Sequence, residues 1–364
     1  MARVESSASP PRRQGPGVVT VTGPIGVEDL GVTLVHEHLL TDASSWWRGP
    51  DAAASTRLAE GPVDATILGE LRMDPFVNRD NCVLADVTAA VDELAQFRDL
   101  GGRTVVDQTG VGLGRDPIAL RTISESLGLQ VVMGAGFYLQ ASQPDRASGM
   151  SIEGIADEIT RDATEGVNGT GVRIGIIGEI GVSADFTPAE RKSLRGAARA
   201  QRMTGLPLSV HLPGWRRLGH EVLDVVAEEG ADLRHTILCH MNPSGDDFDY
   251  QAGLAERRAF IEYDMIGMDF YYADQDAQSP CDEENARNIV RLVRNGYLDR
   301  VLVSQDVFLK MMLTRYGGFG YAYILRHFVP RLKRHGLQDA DIERLMVANP
   351  RAVFESSRSM SAEA

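Results

Sequence analysis

Residues 32–39 read VTLVHEHL, a run of apolar and β-branched residues that ends in polar side chains. Seven later runs are similar in composition, and stretches with apolar residues at helical spacing separate them. The eight predicted strands are Val32–Leu39, Arg103–Thr109, Leu129–Phe137, Arg173–Gly181, Leu206–Leu212, His235–Met241, Ala259–Ile266 and Arg300–Val307. Almost continuously apolar runs are typical of parallel strands that are covered on both faces. The sequence therefore predicts an α/β fold built from right-handed βαβ units.

The predicted helices between these strands have recognisable ends. Asp86–Leu100 has apolar residues at helical spacing and is followed by two glycines, while Thr187–Gly205 begins with a Thr-Pro-Ala-Glu capping box. Glu283–Asn295 and Asp341–Val347 are similar. Eight strand–helix units favour a closed (β/α)₈ TIM barrel over an open doubly wound sheet, and no phosphate-binding glycine loop supports the open alternative.

A single barrel accounts for most of the 364 residues. We expect one barrel domain over residues 18–355, a disordered tail over residues 1–17 and a flexible tail over residues 356–364. The segment 41–82 is too long and too polar for a simple strand-to-helix loop. It is predicted to be an insertion that lies over one end of the barrel.

The composition excludes several classes of protein. The formal net charge of −14 argues against a protein that binds nucleic acid through a basic face. No apolar run reaches the roughly 18 residues of a membrane span, so no membrane partner is expected. The three cysteines are odd in number and widely spaced, which favours a reducing compartment over a disulfide framework. We therefore expect a cytoplasmic protein.

Polar residues collect at the carboxyl ends of the predicted strands, which is where barrel enzymes place their active sites. Strand one ends with His36 and His38, which share one face because alternate residues of a strand point the same way. The candidates at the ends of strands four, five, six and eight are Glu179, His211, His240 and Asp306. Four imidazoles and two carboxylates at one mouth suit zinc, manganese, iron, cobalt or nickel.

The motif TLVHEHL at 33–39, preceded by GVEDLG at 26–31, resembles the N-terminal signature of the phosphotriesterase family within the amidohydrolase superfamily. The resemblance continues through the later strand ends to ANPRAVF at 348–354 and covers residues 18–355. It implies a distorted amidohydrolase-like barrel with two divalent metal ions per chain, for which we expect zinc. The residues implied are His36, His38 and Asp306 for the buried metal, His211 and His240 for the exposed metal, and Glu179 as the bridge.

The bridging residue departs from the best-known members of the family, which carry a carboxylated lysine on strand four. No lysine stands in residues 173–183. The motif GIIGEIG at 175–181 instead resembles the phosphotriesterase-related branch, in which a glutamate bridges the metals. By simple alignment Gly178 occupies the lysine position, one residue before Glu179. A bulge at Gly178 would bring the carboxylate onto the required face of the strand.

The resemblance implies a hydrolase in which a hydroxide held between the metals attacks a carboxylic ester, lactone or amide. Asp306 would take the proton of that hydroxide. Hydrolysis of a phosphotriester or phosphodiester is the close alternative. A non-hydrolytic metal-dependent lyase or isomerase, and a catalytically inactive binding protein, are the other two alternatives.

Substrate choice is assigned to aromatic residues near the mouth. Tyr138 resembles a tyrosine that lines the pocket of lactone-cleaving relatives, and we assign it a catalytic and substrate-binding role. Phe270 and Tyr271, in the loop after strand seven, are predicted to contact the substrate. Residues 267–272 lack the arginine found there in many lactonases. We expect a small-molecule substrate and a homodimeric enzyme.

Overall fold

The structure is a computed structural model that describes residues 17–48 and 56–355. The predicted tail over residues 356–364, and all of the predicted tail over residues 1–17 except Gly17, lie outside the described residues. The eight predicted strands are present and form the barrel, as β1 Val32–Glu37, β2 Gly102–Asp107, β3 Gln130–Met133, β4 Ile177–Gly181, β5 Leu208–His211, β6 Thr236–Leu238, β7 Phe260–Tyr263 and β8 Val301–Val303. Each begins and ends within about four residues of its predicted span.

Eight helical segments alternate with these strands. Their bounds are α1 Val87–Asp99, α2 Pro117–Leu127, α3 Ile152–Thr164, α4 Pro188–Thr204, α5 Gly219–Glu228, α6 Phe248–Glu256, α7 Asp282–Arg294 and α8 Val329–Arg334. The predicted capping box of α4 is confirmed, because the Thr187 side chain accepts from the backbone nitrogen of Glu190 and Glu190 returns the bond. Two C-terminal helices follow, Asp339–Glu343 and Asn349–Phe354, joined by a wider turn over Arg344–Ala348.

The sheet closes on itself. Strands β1, β2 and β3 pair in parallel, as do β4, β5, β6, β7 and β8 in that order. Two seams join these groups of strands. At the first seam, between β3 and β4, the backbone N–H of Gly178 donates to the carbonyl of Ala135 at 2.6 Å. At the second seam, between β8 and β1, the backbone N–H of Asp306 donates to the carbonyl of His36 at 3.1 Å. The fold is therefore a distorted (β/α)₈ barrel, as predicted, and its two irregular seams lie beside candidate metal ligands.

Glu37 ties the second seam together. Its buried carboxylate accepts hydrogen bonds from the hydroxyl of Ser304 at 2.9 Å and from the backbone nitrogens of Gln305 at 3.0 Å and Val307 at 2.9 Å. Burial raises the pKa of Glu37 to about 8, although these donors oppose the shift. The carboxylate thus holds the segment that carries Asp306 against the end of β1.

The strands are apolar on both faces because each face meets a different core. Val106 of β2 belongs to a cluster inside the barrel, whereas its neighbour Val105 packs toward the surrounding helices. The inner cluster is closed at one end by Val18, Val353 and Phe354. The apolar runs in the sequence are nearly continuous because both faces of each strand are buried.

Three short antiparallel strand pairs lie outside the barrel sheet. They are Val18–Thr20 with Gly23–Ile25, Thr41–Asp42 with Val83–Leu84, and Tyr271–Tyr272 with Ala277–Gln278. Two short helices, Thr56–Glu60 and Leu68–Met73, occupy the described part of the segment after β1. No helix among the described residues is long and apolar enough to cross a membrane.

Candidate metal centre

The six candidate ligands meet at the carboxyl end of the barrel. One set comprises His36, His38 and Asp306, and the other comprises His36, Glu179 and His240; within each set the potential ligand atoms lie within 4.8 Å of one another. Glu179 Oε1 is 2.9 Å from Nδ1 of His211 and 2.6 Å from Nε2 of His240. The structure thus brings together every residue that the sequence analysis named for metal binding.

Buried atoms at this centre lack partners. Nε2 of His36 and Oδ1 of Asp306 have no hydrogen-bond partner among the described residues, and the two atoms are 3.7 Å apart. An unsatisfied buried polar atom costs about 1–3 kcal/mol, so such a pair calls for an explanation. Nitrogen and carboxylate oxygen atoms directed at one space are the ligands that zinc and similar cations use. The residues present fit a metal centre.

Hydrogen bonds behind the histidines fix which nitrogen faces the centre. Nδ1 of His36 lies 3.1 Å from Oε2 of Glu262, and Nδ1 of His240 lies 3.0 Å from Oδ1 of Asp264. An ionised carboxylate only accepts, so each Nδ1 keeps its proton and each Nε2 presents a lone pair to the centre. Nδ1 of His38 is similarly 2.8 Å from the hydroxyl of Thr109.

The sequence analysis missed these supporting carboxylates. Glu262 and Asp264 are fully buried at and just after the end of β7, in the run FIEYD. Two acidic residues in an otherwise apolar predicted strand were the available signal, because a buried carboxylate needs a partner. That strand contributes no ligand to the six candidates, yet it orients two of them.

Glu179 reaches the centre through an irregularity in β4. The pairing of β4 with β5 shifts register between Ile177 and Ile180, and Gly178 has φ of +142°. A Cβ atom at Gly178 would lie 2.6 Å from the carbonyl oxygen of Ser209. The strand is irregular at Gly178, where a bulge is predicted, and only glycine fits its backbone and its surroundings.

Two further candidates adopt left-handed backbone conformations. His240 has φ of +57° and Asp306 has φ of +47°; His240 stands two residues after the end of β6 and Asp306 three residues after the end of β8. Non-glycine residues in this region are uncommon and cluster at functional sites. The predicted strands are longer than the observed ones here because these residues leave the sheet to face the centre.

Burial and neighbouring charges shift the pKa values of the candidate ligands in opposite directions. Burial alone would raise the pKa of Glu179, but attraction to His211, His36 and His240 holds that pKa well below its ordinary value. Burial lowers the pKa of His211. Burial alone would also lower the pKa of His36 and His240, but attraction to neighbouring buried acidic groups raises both well above the ordinary value. Metal binding requires neutral imidazoles, so a bound cation would displace these protons.

A cavity of about 300 Å³ opens above the centre. Tyr138 lines it, with its hydroxyl 3.2 Å from Nδ1 of His211. Aromatic side chains form most of the outer wall, and they are Trp46, Phe76, Trp215, Tyr272 and Phe308. Phe270 and Tyr271 are not among the residues that line the cavity; Tyr272, the next residue of the same hairpin, takes that place.

A closed barrel with this ligand set at its mouth defines a metal-dependent hydrolase, and the comparisons with known proteins agree. The model of the phosphotriesterase family matches residues 16–354, and the chain belongs to that family. An N-acetyltaurine hydrolase of Tetraodon nigroviridis is 34% identical over 338 residues, which span 92% of this chain and 96% of that protein.

Solved structures support the same assignment. The crystal structure of a resiniferatoxin-binding protein from Rhodobacter sphaeroides is 61% identical, with a TM-score of 0.92 over 93% of this chain and 95% of that one. The phosphotriesterase homology protein from Escherichia coli, complexed with phosphate in its active site, is 28% identical, with a TM-score of 0.74 over 90% of this chain and 99% of that one. The resemblance stated from the sequence motifs is confirmed.

Proposed function

We propose that the chain hydrolyses a carboxylic amide or ester of a small molecule at a centre of two divalent metal ions. The residues that would hold the ions are His36, His38 and Asp306 for one, His211 and His240 for the other, and Glu179 for both. The position of Glu179 carries this proposal. Its Oε1 lies 3.7 Å from Nε2 of His36 and 2.6 Å from Nε2 of His240, so a single carboxylate reaches both sets of ligands.

Metal ions bound here would lower the pKa of a water molecule toward neutrality and polarise the substrate oxygen. Asp306 lines the cavity, and its Oδ1 has no hydrogen-bond partner among the described residues, which suits it to take up a proton. Tyr138 directs its hydroxyl to the same space and would donate a hydrogen bond to the substrate. The aromatic wall excludes bulk water, which strengthens both interactions.

Amide hydrolysis is favoured because relatives that match nearly the whole chain are named N-acetyltaurine hydrolase. Phosphoester hydrolysis is the second candidate, because the homologous protein from Escherichia coli holds phosphate in its active site. Both reactions use the same ligand set. We propose zinc as the metal because imidazole and carboxylate ligands suit it. The homodimer, the cytoplasmic location and the division into one domain with two tails stay predictions from the sequence.

The test combines metal analysis with a substrate screen. The screen contains N-acyl amines, N-acetyltaurine, carboxylic esters, lactones and phosphate triesters and diesters. We expect about two metal ions per chain, turnover of a carboxylic substrate, and loss of that turnover on chelation. Asp306→Asn should lower kcat by about 100-fold or more, whereas Asp249→Asn, at an exposed position of α6, should leave it unchanged. A chain that binds no metal, or that cleaves only phosphate esters, would overturn the proposal.

A further inference from the structure

The outer wall of the cavity is a connected series of aromatic rings. The ring centroids of Trp215 and Tyr272 are 5.4 Å apart, those of Tyr272 and Phe76 are 6.0 Å apart, and those of Phe76 and Trp46 are 5.2 Å apart. Phe308 extends the series, 6.3 Å from Phe76. Aromatic rings attract cations through the negative potential of their faces, most strongly when the site is shielded from water.

Asp274 brings a buried carboxylate to this wall. It lines the cavity, and its side chain is only 1% exposed. Oδ2 accepts a hydrogen bond from Gln275 at 2.5 Å and lies 3.9 Å from the guanidinium of Arg48. Oδ1 has no hydrogen-bond partner among the described residues. A buried carboxylate oxygen without a donor is costly, so this atom is available to a ligand.

The carboxylate lies close to the aromatic series. Burial raises the pKa of the Tyr272 hydroxyl well above its ordinary value, and repulsion from Asp306 and Asp274 raises it further. Tyr272 is therefore within electrostatic reach of both the metal centre and Asp274. A substrate held by its reacting bond at the centre could reach Asp274 with its other end.

Cationic side chains are missing from the described cavity lining, which contains neither lysine nor arginine. Lys310, close to the end of β8, pairs instead with Asp80 at 2.5 Å. Arg48 is 59% exposed and faces Asp274 only through a long contact, so solvent screens its charge. Asp185 adds a second carboxylate at the rim. The outer cavity is thus negative and aromatic.

We propose that this outer cavity binds an ammonium group of the substrate, held by Asp274 and by the rings of Tyr272, Trp215 and Trp46. The proposal rests on the proposed function for the reacting bond and adds the chemistry of the group beyond it. A quaternary or protonated amine satisfies the free oxygen of Asp274 by charge and the rings by cation–π attraction. A carboxylate or sulfonate at the same position would face repulsion from Asp274 and would find no lysine or arginine in the cavity lining. In this the chain would differ from its relatives named N-acetyltaurine hydrolase, since N-acetyltaurine ends in a sulfonate.

Binding is tested with choline and with 3,3-dimethylbutan-1-ol, its uncharged isostere, in both metal-loaded and metal-free protein. Fluorescence reports on occupancy because Trp46 and Trp215 line the cavity. Choline should bind at least about tenfold more tightly than the isostere, a difference of about 1.4 kcal/mol. Asp274→Asn should reduce that preference to the part that the aromatic rings supply, and it should leave the affinity for the isostere unchanged.

The matched control is Asp276→Asn. Asp276 lies on the same hairpin, is exposed, and bonds only the Tyr271 hydroxyl among the contacts described, so its variant removes one charge outside the cavity. The choline preference should persist in this variant. If Asp274→Asn does not fold, Trp215→Leu keeps an apolar wall and should still weaken choline more than the isostere. Equal affinities of the wild type for the two probes, or a preference that Asp274→Asn leaves unchanged, would overturn the proposal.

Turnover provides the second arm, with three N-acetyl amines that end in trimethylammonium, tert-butyl or sulfonate. The value of kcat/KM should be highest for the trimethylammonium substrate, lower for the tert-butyl substrate and lowest for the sulfonate. Asp274→Asn should reduce the ratio of kcat/KM between the trimethylammonium and tert-butyl substrates by about tenfold or more. Selective choline binding without hydrolysis of any carboxylic substrate, in this series or in the wider screen, would reject the proposed function and keep the ammonium site. Equal hydrolysis of all three substrates would reject the ammonium site and keep the proposed function.

Discussion

Asp264 accepts hydrogen bonds from His240 at two places, the backbone nitrogen at 3.0 Å and the ring Nδ1 at 3.0 Å. The first bond supports the left-handed backbone of His240, and the second fixes its tautomer. Burial alone would raise the pKa of Asp264, but attraction to His240 and these bonds hold it well below its ordinary value. One carboxylate therefore sets both the backbone position and the tautomer of His240, a candidate metal ligand.

We predict that Asp264→Asn lowers metal affinity by about 10–100-fold, because an amide neither matches the charge nor fixes the tautomer of His240. Metal affinity is measured by competition with a chromophoric chelator. Asp249→Asn, at an exposed position, is the control and should bind metal as the wild type does. Wild-type affinity in the Asp264 variant would show that His240 is oriented by other contacts.

Glu179→Gln should reduce the metal content below that of the wild type. Glutamine keeps the shape of the side chain but supplies one acceptor oxygen and no charge. Metal content per chain is measured after dialysis against metal-free buffer, with Glu125→Gln on the exposed face of α2 treated in parallel. Two tightly bound ions in the Glu179 variant would mean that another group bridges them.

The irregularity before Glu179 yields a stability prediction. Gly178→Ala places a Cβ atom 2.6 Å from the carbonyl oxygen of Ser209, at a φ of +142°, and should lower the free energy of unfolding by about 2 kcal/mol or more. Gly149→Ala meets nothing within 4 Å and should change it by less than about 0.5 kcal/mol. Urea unfolding at fixed metal concentration compares them, and equal stabilities would show that β4 adapts to a side chain.

Tyr138→Phe removes only the hydroxyl that lies 3.2 Å from Nδ1 of His211. We expect kcat to fall by about tenfold, since a hydrogen bond to the reacting substrate is worth about 1–1.5 kcal/mol. Metal content and the melting temperature should stay close to wild-type values. Unchanged kinetics would assign Tyr138 to packing against the His211 ring, whose centroid is 4.9 Å from its own.

The barrel and the six candidate ligands were accessible to sequence analysis because each rests on a local signal. Apolar runs mark the strands, and a histidine or carboxylate directly after such a run marks a strand end. The irregularity at Gly178 was predicted from the family resemblance, because Glu179 stands one residue after the lysine position of that family and an offset of one reverses the face of a strand. These features depend on neighbours in the chain.

The supporting groups depend on distant contacts instead. Glu262 and Asp264 meet His36 and His240 across strands, and no spacing rule links residues so far apart. The substrate wall is similar, since the register of the short hairpin decides that Tyr272 and not Tyr271 lines the cavity. Sequence patterns show which loop lies at the mouth of the barrel. They do not show which side chains of that loop line the cavity.

The contacts of Glu37 also constrain when the metal centre can form. Its three donors lie 267 to 270 residues later in the chain, so a ribosome must release the last strand before that carboxylate is satisfied. Until then β1 has an open edge and the oxygen of Asp306 is absent from the mouth. The proposed metal centre therefore cannot be completed until the segment that carries Asp306 has been synthesised and has docked against the end of β1.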